Sequence, residues 1–138
     1  MPKFKTSINL ADAVRRLKDV TRQDNTGDFF VVVDSFDFGR DVNGNTINRY
    51  RATLHRGDLL SVQNGYTGFG VTVLESPSRR EQSDSSFFGS SAGQSMALYW
   101  LEKIGYNLAY ESMTTAPHTK KQAYRHVYRV TNGYLKNI

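Results

Sequence analysis

The chain contains no cysteine, which excludes disulfides, a thiolate nucleophile and every cysteine-ligated zinc or iron–sulfur site. That absence leaves the redox compartment open. Proline is scarce, with three residues, so helices and strands are seldom interrupted. No stretch approaches the roughly 18 consecutive apolar residues of a membrane-spanning helix, and Met1 to Lys5 lead into no apolar core of the kind a secretory signal needs. A cytoplasmic location, in the source cell or in a host, is therefore expected, without a membrane partner.

Several reactive constellations are also missing. His55, His118 and His126 have no H-x-x-x-H spacing and no carboxylate pair beside them, so no metal site is expected. A P-loop needs Lys followed by Ser or Thr after its last glycine. Gly65-Tyr66-Thr67-Gly68-Phe69-Gly70 lacks that lysine and leads into a strand-like run, so it reads as a turn or bulge, and no cofactor is expected. Gly89-Ser90-Ser91-Ala92-Gly93 has only a superficial likeness to a G-x-S-x-G elbow and follows no clear strand, and the H-x-T or H-x-S pairs of two-histidine phosphoesterases do not occur. If the chain is an enzyme, its general acid or base is expected at Glu75, a strand-end carboxylate, with Tyr66 and Arg79 as its helpers. A solvated strand-end glutamate is the simpler explanation of Glu75, so catalysis stays only an alternative.

What is present is a folded, basic, aromatic composition. Hydrophobic residues make up 38% and charged residues 22%, which fits a packed core and not a disordered chain. The 138 residues are expected to form one domain, 1–138, with a Ser/Arg-rich segment at 76–91. Leu10, Ala13, Val14, Leu17 and Val20 recur at helical spacing behind an N-cap at Asn9. Phe29 to Val33 reads as a central strand buried on both faces, and its alternation continues to Phe38. Asn43-Gly44-Asn45 predicts a tight turn, after which Ile47 to Arg56 alternate as a strand. In the second half, Ala97, Trp100, Leu101 and Ile104 form the apolar stripe of a helix starting near Ser90 and stopping at Gly105. Tyr106 to Tyr110 and Tyr124 to Thr131 read as paired strands around a polar loop from Thr114 to Lys121. Between the halves, Leu59-Leu60 and Val71 to Leu74 read as short strands. Two helix–strand–strand units predict an α+β fold, a mostly antiparallel sheet with two helices on one face. A ferredoxin-like arrangement fits if Lys3 to Ile8 supply a strand before the first helix.

The formal net charge is +5. After Glu111 the chain holds five basic residues, Lys120, Lys121, Arg125, Arg129 and Lys136, and no acidic one. Alternation sends Tyr124, His126 and Tyr128 to one side of the last strand, and Arg125 and Arg129 to the other. If the two hairpins are sheet neighbours, Arg49, Arg51 and His55 join the arginines. Arginine with interspersed tyrosine suits phosphate contacts and base stacking. A binding face of Arg49, Arg51, Lys120, Lys121, Arg125, Arg129, Tyr124 and Tyr128 is thus expected, for nucleic acid or another polyanion. The alternatives are a self-assembling viral or accessory module, homo-oligomeric through its short edge strands, and a small enzyme or ligand-binding oligomer with a site at a subunit junction near Tyr66 and Glu75.

One segment resembles a known family. Glu102-Lys103-Ile104-Gly105 ending a helix, Tyr110-Glu111 in a strand, Ala116-Pro117-His118-Thr119-Lys120 in a loop and Asn132-Gly133 after the next strand look like the first two-thirds of a double-stranded RNA-binding domain. That family enters a minor groove with a Pro-x-His-type loop and grips phosphates with a lysine-bearing second helix. Here Pro117 and His118 are adjacent, and neither that helix nor the third strand follows, so the resemblance lends the chain no function.

Overall fold

A computed structural model describes residues 6–20, 27–40, 46–65, 70–75, 90–115, 122–133 and 135. The elements run β1 (Thr6–Ser7), α1 (Leu10–Val20), β2 (Asp28–Arg40), β3 (Thr46–Gly57), α2 (Leu59–Asn64), β4 (Val71–Glu75), α3 (Ser90–Lys103), β5 (Leu108–Thr115) and β6 (Gln122–Val130). The six strands form one sheet in the order β1-β4-β3-β2-β6-β5, and every pairing is antiparallel. This is the α+β class read from the pattern. The ferredoxin-like variant is not confirmed, because β1 has only two residues and β2, β3 and β4 follow one another as a meander.

Strand β2 lies inside the sheet between β3 and β6, which explains its unbroken apolar run. Phe29, Val31 and Val33 join the main core, while Phe30 and Val32 point the other way into a smaller cluster. Helix α1 starts where Asp12 N–H donates to the Asn9 side chain at 2.9 Å, and it buries Leu10, Ala13, Val14 and Leu17. Helix α3 adds Ala97 and Leu101 to the same core. The two helices therefore share one face of the sheet, α1 over β3 and β4 and α3 over β2 and β3. Tyr106, expected to open a strand, instead sits fully buried before β5, and its hydroxyl donates to the Ile8 carbonyl at 2.8 Å.

The opposite face holds a surprise for the pattern reading. Leu59 and Leu60, expected as a strand, form the first turn of α2. Asp58 caps it by accepting from the Ser61 N–H at 3.2 Å and the Ser61 hydroxyl at 2.6 Å. Gly65 ends it at φ 75°, a left-handed conformation that glycine adopts without a Cβ clash. Val62 is buried against Phe30, Val32 and Val127, with Leu59 beside it. Within its five residues β4 reproduces the strand expected at Val71 to Leu74. The Asn43-Gly44-Asn45 turn lies outside the described residues.

Candidate binding face

The face carrying α2 is also the face where the arginines meet. Registered neighbours in a sheet point the same way, and the register aligns Glu75 with Arg51, Arg51 with Asp34, Asp34 with Arg125, and Arg125 with Thr114. Thr6 of β1 pairs with Glu75. One row of polar and charged positions therefore crosses all six strands, with charges of alternating sign through its middle.

At its centre, Arg125 holds Asp34 through two bonds, Nε to Oδ1 at 2.8 Å and Nη2 to Oδ2 at 3.1 Å. The side chains are only 12% and 5% exposed. The remaining Arg125 nitrogen donates to the Val62 carbonyl at 3.3 Å, in the last turn of α2. One guanidinium thus neutralises a buried carboxylate and ties α2 to the sheet. Nearby, the Gln63 amide donates to the Ser112 hydroxyl at 2.6 Å. His55 lies two rows over on the same face, opposite Phe30. Burial and then the adjacent Arg125 charge push its pKa down to about 4, so the imidazole is neutral at pH 7. Gly70 closes over it: a Cβ there would come within 2.6 Å of the ring.

Arg129 lies in the row of His55 and Phe30 and is similarly engaged. Its Nε donates to Glu111 at 2.8 Å and its Nη1 pairs with Asp28, while the guanidinium sits 4.8 Å from the Phe30 ring centre. Hydrogen bonding to Glu111, more than any other contact, raises its pKa further. Tyr124, His126 and Tyr128 occupy the helix side, as the alternation predicts. Tyr128 is buried, accepts from the Gln94 amide and stacks edge-on against Tyr110 at 5.7 Å. Burial pushes its phenol pKa up. Tyr124 and His126 lie side by side, their ring centres 6.4 Å apart.

The expected binding residues therefore divide. Arg51, Arg125 and Arg129 share one face, Tyr124 and Tyr128 take the other, and Arg125 and Arg129 already have carboxylate partners. Arg49 stands in β3 opposite Phe36, and nothing further is described of its side chain. Lys120, Lys121, Tyr66 and Arg79 lie outside the described residues. Glu75 of the alternative catalytic set is partly buried at the end of β4, between Thr6 and Arg51. Among the described residues no three metal-ligating side chains converge, and no helix is long and apolar enough to cross a membrane.

Asp34 is the site residue that neither the motifs nor the basic pattern of the sequence single out. Its signal was available: a lone acid ending a five-residue apolar run in a buried strand demands a counter-charge. No family model matches this sequence, and no curated protein or solved structure is significantly similar to it.

Proposed function

We propose that the chain is a small basic binding module for polyanions, with nucleic acid as the ligand class. The supporting observation is the end of the sheet beyond the Glu75–Arg51–Asp34–Arg125 row. Thr6, Glu75, Arg40 with Thr46, and Thr115 with Gln122 all stand at or beyond that row on the same side. These residues flank or bracket segments 1–5, 76–89, 41–45 and 116–121. In sequence, those segments and the adjoining ends of β2 and β3 carry Lys3, Lys5, Arg40, Arg49, Arg79, Arg80, Lys120 and Lys121. Against these stand Asp37, Asp41, Glu81 and Asp84. The described residues that flank these net-cationic segments thus stand at one end of the sheet, while Arg125 and Arg129 are held by Asp34, Asp28 and Glu111. A local excess of that kind attracts phosphates without sequence preference.

The reading makes Lys120 and Lys121 the phosphate contacts and gives Arg125 and Arg129 a structural part. A filter-binding titration with DNA and RNA should show affinity falling about 100-fold from 50 to 200 mM salt if about four phosphates are neutralised. Lys120→Ala/Lys121→Ala should lower the slope of log affinity against log salt by about two. Absence of binding at low salt, or an unchanged slope in that variant, would rule the reading out.

A further inference from the structure

Strand β5 is the long edge of the sheet: β6 covers one side and, among the described residues, no strand covers the other. Natural edge strands are protected by shortness, charge, proline, a bulge or a covering element. The sequence Leu108-Ala-Tyr-Glu-Ser-Met-Thr-Thr has eight residues without lysine or proline, and its single charge, Glu111, is held by Arg129 of its own chain, which leaves its register shift as its one irregularity. The helices pack over β2, β3 and β4. On their side of the sheet β5 presents Tyr110 and Met113, which are 61% and 49% exposed.

We propose that β5 pairs antiparallel with β5 of a second copy of this chain, making a two-fold dimer with a continuous sheet. The strand's irregularity carries the argument. An eight-residue strand that alternates strictly sends its two ends to opposite faces, so it cannot match its own copy over its full length. A register shift between Tyr110 and Ser112 breaks that alternation in β5. Glu111 reaches Arg129 and Ser112 meets Gln63, both on the α2 side. Tyr110 stacks on Tyr128, and Met113 pairs with His126, both on the helix side. Ala109 and Thr114, opposite Arg129 and Arg125, return to the α2 side. The face pattern from Ala109 to Thr114 is thereby the same read in either direction. Full-length antiparallel pairing sets Tyr110 opposite Met113 of the copy twice, and Glu111 opposite Ser112 twice. Two exposed apolar side chains cover two others, and the two glutamates are not opposed. An isologous interface needs this self-complementarity.

The absence of cysteine makes the register directly testable. Tyr110→Cys and Met113→Cys, each placed singly in the full chain, should cross-link to one another when mixed under mild oxidation. Opposed Cα atoms in an antiparallel pair, about 4.5–5.5 Å apart, fall within disulfide reach. Neither variant should cross-link to itself, because identical positions are offset by about 10 Å along the strand. Sedimentation velocity should show a concentration-dependent dimer. Met113→Lys, at a half-exposed site, should weaken it at least about tenfold with an unchanged circular dichroism spectrum. A monomer at all concentrations, self-cross-linking of Tyr110→Cys, or dimerisation only when an oligonucleotide is added would each overturn the proposal. Lys120→Ala/Lys121→Ala should keep the dimer, so this inference and the polyanion reading fail separately.

Discussion

A carboxylate in the middle of a buried strand needs a partner at fixed geometry, and Arg125 supplies it to Asp34 from 91 residues away. Removing one member leaves the other charged and desolvated. Asp34→Ala should therefore cost roughly 3–5 kcal/mol, measurable by urea unfolding followed through the sole tryptophan, Trp100. Asp34→Leu/Arg125→Met should cost less than the two single changes together, and a double-mutant cycle reads the difference. His55 sets a pH limit. Its folded pKa of about 4 lies below the ordinary 6.5, so the unfolded chain binds the proton more readily. Stability should be unaffected by His55 above about pH 6.5 and decline as the pH falls toward 4, by up to about 3 kcal/mol. His126, also lowered by burial, adds in the same direction. In His55→Gln the fall of melting temperature between pH 7 and 5 should be shallower. A His55 imidazole signal titrating near 6.5 by NMR would contradict the assignment of His55 as buried and neutral.

Helix α2 is where local geometry matters most, because six residues hold no helix unaided. Its Asp58 cap, its Gly65 stop and the Arg125 bond to Val62 keep it on the sheet. Gly65→Ala, forced into a left-handed conformation, should cost about 1–2 kcal/mol, read as a lowered urea midpoint. Gly70→Ala should be worse, since its methyl would press on His55 and Thr53, the nearest atom being the Thr53 methyl carbon at 2.4 Å. The same element shows what the sequence could and could not reveal. Helices α1 and α3 were legible because each is 11 residues or longer and repeats apolar residues at helical spacing, from Leu10 to Leu17 and from Ala97 to Ile104. Helix α2 has barely two turns, and its apolar Leu59-Leu60-x-Val62 run has no readable period. The evidence for it was its punctuation, Asp58 three residues before Ser61 and Gly65 after Asn64. The charge-bearing positions were legible strand by strand. Their neutralisation was not, because Asp34, Asp28 and Glu111 meet their arginines across other strands.

At the scale of the molecule, β2, β3 and β6 form the middle of the sheet, while β1 and β5 are its borders. Hydrogen exchange should therefore be slowest at Val31 to Val33, Ala52 to Leu54 and Val127, and fastest along β1. Equal protection in β1 and β2 would contradict this order. The α+β class followed from alternation and helical period, both local properties. The meeting of β2 with β6 did not, because period-2 patterns give a strand's face and leave its neighbours undetermined. That pairing also governs the order of events on the ribosome. Asp34 is synthesised 91 residues before Arg125, so at roughly 5–20 residues per second β2 waits about 5–20 s for its partner. For that interval one edge of the strand stands open, with the carboxylates of Asp28, Asp34 and Asp37 as the charges that discourage it from pairing with other nascent chains.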